Sequence, residues 1–283
     1  MTLFLNFRVS PIGGAIATVP AIRQSNPDLS LSPFDPRKFQ QLITGRDILF
    51  VVHGYNNNQT NGIRALSQLE PLLKLPASAV VIGILWPGDS YAGFISYPVE
   101  KPTASQVGRH LAAFCNRELR QAASFSFASH SLGARVVLET IHRLDRRTRS
   151  ACLMAAAIER TCLEKEYSGS FDRTDRIYVL ASERDLVLRL IFPFGNFFAH
   201  LLDPTGNPLS SALGFRGPPR AIGNMVEPWQ IGWKFDYDHG DYLPPSEPDK
   251  TLPDTEPTWL KPADFITRAF NLERQTWPIA EER

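Results

Sequence analysis

The sequence has almost no excess of charge, because its 30 lysines and arginines are balanced by 29 aspartates and glutamates. The strongly basic composition that attracts nucleic acids is therefore missing. Hydrophobic residues make up 43% of the chain and charged residues 21%, which excludes the low-hydrophobicity composition of disordered proteins. We expect a packed core that recognises a small molecule by shape and local chemistry, and no nucleic-acid partner.

Cysteine is scarce. The chain has three cysteines, Cys115, Cys152 and Cys162, which cannot build a disulfide framework and do not have the C-x-x-C spacing of zinc or redox sites. Free, buried thiols in a reducing compartment are the simplest interpretation. The first residues show neither a basic region nor a small-residue cleavage site, so we expect a cytoplasmic protein.

Long hydrophobic runs are also missing. A transmembrane helix needs about 20 apolar residues, and the most apolar stretch, residues 186–202, is interrupted by arginine, proline, glycine, asparagine and histidine. We expect no transmembrane segment. The stretch is either a buried helix and turn or part of a cap over a site. Because no linker or internal repeat is present, we predict one domain over residues 1–283, with room for a small cap or loop insertion around residues 186–228.

Strand-like and helix-like segments alternate along much of the chain. Continuous apolar runs predict buried strands at residues 47–52, 79–86, 124–128, 152–158 and 176–181, and a further strand at 229–237. Helical periodicity lies between these runs, and this alternation requires a parallel sheet with right-handed crossovers. The fold class is therefore α/β. Period-2 alternation at residues 3–9 and 15–19 adds an antiparallel hairpin, and a proline-rich loop is expected before residue 47.

Ser131 lies where a predicted strand ends and a helix begins, in the segment SHSLG at residues 129–133. A serine in a tight strand-to-helix turn is held clear of the sheet, and small residues on both sides let strand and helix approach closely. The usual pattern is G-x-S-x-G, and here Ser129 replaces the first glycine. Ser131 is the candidate nucleophile, against the alternative of a serine that caps the helix.

A serine hydroxyl needs a base that is oriented by a carboxylate. Enzymes with this kind of turn carry nucleophile, acid and histidine in that chain order, and His239 fits the last position. His53 is interpreted as a residue that holds its loop, and the His130 side chain is expected to leave the turn in a different direction. The remaining histidines are interpreted as structural: His110, His142 and His200.

The carboxylate is expected just beyond a strand between Ser131 and His239, because ligand-binding groups lie at the carboxyl ends of parallel strands. Asp185 has this position, and Glu183 is the alternative. The other carboxylates nearby are interpreted as structural or solvated charges: Asp172, Asp175, Asp203, Asp236, Asp238 and Asp241.

The segment HGYNNN at residues 53–58 follows the first buried strand. In enzymes with this turn, the loop after that strand gives one backbone N–H to the oxyanion, and the residue after the nucleophile gives the other. By position these are the N–H groups of Tyr55 and Leu132. The alternative is an asparagine-rich surface turn.

Several spaced motifs together are similar to a known family. They are HGYNN at residues 53–57, LWPG at 85–88, SHSLG at 129–133, SERDL at 182–186 and the HG pair that starts at His239. This set resembles an esterase-like serine-hydrolase family of the α/β-hydrolase superfamily, long catalogued as being of unknown function. The resemblance implies an about eight-stranded, mostly parallel sheet flanked by helices, a triad of Ser131, Asp185 and His239, and no metal or organic cofactor.

These observations predict a serine hydrolase that cleaves carboxylic esters through an acyl-enzyme intermediate, with a small-molecule ester or acyl compound as substrate. A lipase or an acyltransferase would use the same residues, and a peptidase or amidase is a less favoured alternative. The alternative that is not an enzyme is a catalytically inactive fold that serves as a binding module.

Overall fold

The computed structural model describes residues 1–12, 14–89, 97–170, 172–192, 211–219, 225–244, 260–275 and 280–282. Their strands are β1 (Leu3–Arg8), β2 (Ile16–Ser25), β3 (Leu31–Pro33), β4 (Asp47–Val52), β5 (Ala79–Leu85), β6 (Ser124–His130), β7 (Thr148–Met154), β8 (Thr174–Ser182), β9 (Val226–Ile231) and β10 (Ala280–Glu282). Their helices are α1 (Pro36–Ile43), α2 (Gln59–Leu69), α3 (Tyr97–Glu118), α4 (Gly133–Arg143), α5 (Leu213–Arg216) and α6 (Leu260–Asn271).

The strands form one mixed sheet in the order β10-β9-β8-β7-β6-β4-β5-β1-β2-β3. All neighbours from β9 to β1 pair in parallel, whereas β2 pairs antiparallel with β1 and β3, and β10 pairs antiparallel with β9. The predicted α/β class, with a mostly parallel sheet and an antiparallel N-terminal hairpin, is confirmed. About eight strands were expected and the described residues contain ten, since the three-residue strands β3 and β10 are too short to show a period.

The core lies on both faces of the central strands. In β4, all residues after Asp47 are buried, which explains why this strand reads as an unbroken apolar run. Helices α3 and α4 pack against each other, and α6 packs against β7 and against the short 3₁₀ turn after α2. Helix α4 packs against β4, β6 and β7, and the short helix α5 packs against β8.

Several elements differ from the prediction. The expected proline-rich loop contains α1, because Asp35 caps it by accepting from the N–H groups of Arg37 and Lys38, and because Phe39 and Ile43 bury one face. Strand β7 ends at Met154 rather than at residue 158, since the next residue has a positive φ of 44°. The predicted strand at 229–237 is shorter, and Trp233–Phe235 forms a 3₁₀ turn.

The apolar stretch after residue 185 is described only in part. Val187–Ile191 forms one turn of π-helix, with Leu188 and Phe192 buried and Leu186 and Leu190 exposed. Residues 193–210 and 220–224, including His200 and Asp203, lie outside the described residues, so a cap over this region stays a prediction. No helix in the described part of the chain is both long enough and apolar enough to cross a membrane.

Candidate active site

Ser131 occupies a strained turn between β6 and α4. Its φ is +56°, a left-handed conformation that is uncommon for serine, and its N–H donates to the Met154 carbonyl at the end of β7. Helix α4 starts two residues later, and a Cβ on Gly133 would lie only 2.6 Å from the His53 carbonyl oxygen. Glycine is therefore required for this close approach. The turn lifts the Ser131 side chain out of the sheet.

Ser129, which stands where the usual pattern has glycine, is buried in β6, between its neighbours β4 and β7. It pairs with Leu153 in the parallel ladder, and its hydroxyl lies 3.5 Å from the Cys152 carbonyl oxygen, at the outer limit of a hydrogen bond. Serine is thus small enough for this position, and the ladder stays in register.

Three side chains that are distant in sequence meet at Ser131. The Ser131 Oγ lies 2.8 Å from His239 Nε2, and His239 Nδ1 lies 2.7 Å from Asp185 Oδ2. Because an ionised carboxylate can only accept, Nδ1 carries the imidazole proton and Nε2 is free to accept from the hydroxyl. The alternative acid, Glu183, lies instead near Arg216, with 3.7 Å between Oε1 and Nε.

The carboxylate of Asp185 is fully buried in the turn that follows β8. Its second oxygen, Oδ1, accepts from the Leu188 N–H at 2.9 Å, so both oxygens are hydrogen-bonded. Of the three residues, His239 is the most exposed. Its side chain is 17% exposed, whereas Ser131 is 3% exposed. The hydroxyl lies just below the surface, and the imidazole forms part of that surface.

The two positions predicted to bind an oxyanion, Leu132 and Tyr55, belong to segments that lie next to Ser131. Leu132 is the N-cap residue of α4, and its N–H makes no hydrogen bond to any other residue in the part of the chain that the structure describes. The loop after β4 also lies against the turn, because a Cβ on Gly54 would be 2.7 Å from the Ser131 Cβ. Tyr55 follows Gly54 directly, so the loop that carries this predicted position lies beside Ser131.

Residues 37–192, more than half of the chain, match the model of a family described as alpha/beta hydrolase of unknown function (DUF900). The chain belongs to this family. The match confirms the predicted resemblance, and it includes strands β4 to β8, Ser131 and Asp185. A search of curated proteins finds no match. His239 lies beyond the matched stretch of this α/β hydrolase and is brought to the site by the turn after β9.

His53 holds the loop that carries Tyr55. Its Nδ1–H donates to the Gly54 carbonyl at 2.9 Å, and its Nε2 accepts from the Trp86 N–H at 3.3 Å. The Trp86 indole N–H donates back to the His53 carbonyl at 2.9 Å. Burial lowers the pKa of His53 to about 4, so the imidazole is neutral, as these two hydrogen bonds require. His53 therefore has the loop-holding role expected from its position.

Arg8 supports the same loop of the hydrolase from β1, and the sequence does not reveal this. Its buried guanidinium donates to the Trp86 carbonyl at 2.7 Å and to the Asn57 carbonyl at 3.3 Å, and it forms an ion pair with Asp89. The Asn56 N–H also donates to the Gly88 carbonyl at 2.7 Å. An arginine in an alternating strand normally indicates the solvent face, so no local pattern could have identified this contact.

The turn that carries His239 is more ordered than the sequence suggests. Asp236 and Asp238 are exposed, as expected for solvated charges, but these aspartates also make hydrogen bonds or ion pairs. One oxygen of Asp238 accepts from the His239 N–H at 2.8 Å and from the Leu186 N–H at 3.0 Å. Asp241 accepts from the Asp238 N–H at 2.8 Å, and Asp236 pairs with Arg184. The spacing of Asp238 and Asp241 is that of a capping box, a signal that could have predicted this turn.

His130, which the sequence indicates only as a side chain that leaves the turn in a different direction, lies against His239. The His130 Nε2–H donates to the His239 carbonyl at 2.7 Å, and the two rings lie 4.8 Å apart. Burial, and to a lesser degree the neighbouring His239, lowers the pKa of His130 to about 3, so its imidazole is neutral.

Proposed function

We propose that this protein is a serine hydrolase that cleaves a carboxylic ester of a small molecule through an acyl-enzyme intermediate. Ser131 acts as the nucleophile, His239 as the general base and acid, and Asp185 as the carboxylate that orients the histidine. The observation that carries the proposal is the unbroken chain of hydrogen bonds from hydroxyl to imidazole to carboxylate, at 2.8 and 2.7 Å.

The reaction begins when the Ser131 Oγ attacks the ester carbonyl carbon while His239 Nε2 takes the hydroxyl proton. The negative charge on the carbonyl oxygen is stabilised by the N–H groups of Leu132 and Tyr55. His239 then donates its proton to the leaving alcohol, which departs and leaves Ser131 acylated. Water repeats the sequence with His239 as base, and the carboxylic acid leaves while the hydroxyl regains its proton.

Asp185 has two functions in this cycle. Its hydrogen bond to Nδ1 keeps the imidazole in the tautomer whose Nε2 can accept a proton. Its negative charge, held in a buried turn, also stabilises the imidazolium that forms in each half of the reaction. A binding module would not require this arrangement, which supports an enzyme over an inactive fold.

The substitution Ser131→Ala tests the proposal. It should lower turnover of p-nitrophenyl acetate by a factor on the order of 10⁴–10⁶, because the attacking oxygen is removed. A fluorophosphonate probe should label the wild-type protein at Ser131 and should not label the variant.

The matched control is Ser126→Ala, which removes a buried hydroxyl from the same strand without touching the turn. This control should keep both turnover and labelling. The proposal is wrong if Ser131→Ala keeps most of the activity, or if the probe attaches to a different residue of the wild-type protein.

A further inference from the structure

The position of His239 depends on contacts to its backbone as well as to its side chain. The residue lies at the start of a short 3₁₀ turn, His239–Tyr242, outside any long helix or strand. Its carbonyl oxygen accepts from His130 Nε2 at 2.7 Å, a short distance for a bond between neutral groups. His130 immediately precedes Ser131, so the residue next to the nucleophile holds the residue that accepts its proton.

We propose that His130 is a positioning residue, which fixes His239 at hydrogen-bonding distance from Ser131 through the His239 carbonyl. The inference rests on the proposed function. The His130 ring, the His239 carbonyl and the His239 side chain form a closed path of contacts that begins and ends at Ser131. A path this short leaves little freedom in the distance between Oγ and Nε2, and small errors in that distance cost large factors in rate.

The ring of His130 is itself held on two sides. The Tyr242 ring, on the same turn as His239, lies 5.9 Å from it, and a Cβ on Gly54 would lie 2.9 Å from its Nδ1. His130 therefore contacts the turn that carries His239 and the loop that carries Tyr55. It directly precedes Ser131 in the chain. A side chain packed in this way has few rotamers available, which suits a group that must hold another in place.

A neutral donor is the appropriate group at this position. The carbonyl oxygen can only accept, so His130 Nε2 carries the proton and Nδ1 does not. A lysine or arginine could also donate to this carbonyl, but it would place a positive charge beside His239. That charge would oppose the imidazolium that forms during the reaction.

The experiment compares His130→Leu, which has a similar volume and no donor, with His130→Gln, whose amide nitrogen reaches about as far as Nε2. His130→Leu should lower kcat on p-nitrophenyl acetate by about 10- to 100-fold with little change in KM, and the rate of fluorophosphonate labelling should fall in parallel. His130→Gln should restore most of both rates. The control His142→Leu makes the same change at an exposed position of α4 and should have no effect.

Two results would overturn the inference: wild-type kcat in His130→Leu, or an equal loss of kcat in the Leu and Gln variants. If His130→Leu does not fold, His130→Asn, whose amide is too short to reach the carbonyl, replaces it; equal activity of the Asn and Gln variants would then overturn the inference. A failure of the proposed function is seen separately, because the wild-type protein itself would show neither turnover nor labelling.

Discussion

At the scale of single residues, close backbone approach decides which side chains can surround Ser131. The loop after β4 contacts the turn through Gly54, and the start of α4 contacts Val52 and His53 through Gly133, both at distances that a Cβ would not tolerate. This packing places the loop that carries Tyr55 beside the turn that carries Ser131 and Leu132. The positive φ of Ser131 is the conformational cost of the same arrangement.

Replacing Gly54 with alanine should impair the site more than the fold. The added Cβ would lie 2.7 Å from the Ser131 Cβ, so the loop must move away and take the Tyr55 N–H with it. We expect kcat to fall by about 10²–10³-fold, the usual effect of losing one oxyanion donor. Steady-state kinetics on p-nitrophenyl acetate measure this.

Gly240→Ala is the matched control for that change, because it lies next to His239 and an added Cβ there meets no atom within 4 Å. It should keep a kcat near that of the wild-type protein. Equal rates for Gly54→Ala and Gly240→Ala would contradict the role of the loop.

At the scale of elements, the turns after β8 and β9 behave as one unit. The Ser182 hydroxyl donates to the Tyr237 carbonyl at 2.7 Å, and Asp238 accepts from the N–H groups of Leu186 and His239. The turn with Asp185 and the turn with His239 are therefore fixed to each other by bonds that involve neither of the two catalytic side chains proposed here.

Asp238→Ala should loosen this connection. We expect the free energy of unfolding to fall by about 1–2 kcal/mol, since a capping carboxylate that accepts two N–H groups is lost, and we expect a lower kcat with little change in KM. Asp238→Asn keeps an oxygen acceptor and should lose less. Urea unfolding and steady-state kinetics measure both effects.

The control for Asp238 is Asp236→Ala, which removes an exposed carboxylate that pairs with Arg184 at the surface. Exposed ion pairs contribute about 0–1 kcal/mol, so this variant should be close to wild type in stability. A larger loss of stability in Asp236→Ala than in Asp238→Ala would show that the surface pair, rather than the cap, holds the turn.

The sequence predicts elements well where a local pattern reports burial on both faces. Strand β4 was placed at its observed bounds for this reason, and the α/β class followed from the alternation of strands and helices. Helix α1 was missed because its proline and polar residues obscure a short amphipathic face, and the end of β7 was missed because it depends on one backbone angle. Such features are set by packing against distant parts of the chain.

The candidate site shows the same division. Ser131 and Asp185 follow strands, so local patterns and the rule for parallel sheets identify them, whereas His239 was chosen by its place in the chain order. The contacts of Arg8 and His130 join residues 49 and 109 positions apart, respectively, and leave no local signal.

At the scale of the whole molecule, the candidate site residues lie at one edge of the sheet. Ser131 follows β6, Asp185 follows β8, His239 follows β9, and the loop with Tyr55 follows β4. All four strands are parallel, so their carboxyl ends meet at the same edge. The same architecture buries His53 completely at the end of β4.

Stability should fall as the pH decreases from 6.5 towards 4. The pKa of His53 is about 4 in the folded protein and 6.5 as the ordinary value, so the unfolded chain binds a proton over this range and the folded chain does not. The contribution of His53 to the free energy of unfolding is fully present above pH 6.5. By pH 4, protonation of the unfolded chain at this residue lowers that free energy by about 3 kcal/mol. The neutral His130 acts in the same direction.

Urea unfolding between pH 4.5 and 7.5, in steps of about half a pH unit, measures this dependence. His53→Gln has no titrating ring, so its free energy of unfolding should vary less with pH than that of the wild-type protein, although its stability near pH 7 is lower. Parallel pH curves for the two proteins would exclude a buried, neutral His53 as a cause of acid sensitivity.

The stretch that matches the family model ends at residue 192, before β9 and the turn that carries His239. A homologue could therefore retain the serine turn after β6 and the aspartate after β8, and still lack the imidazole proposed to accept the proton. Under the function proposed here, the short segment from Asp236 to Tyr242 supplies the base, and a match over residues 37–192 carries no information about it.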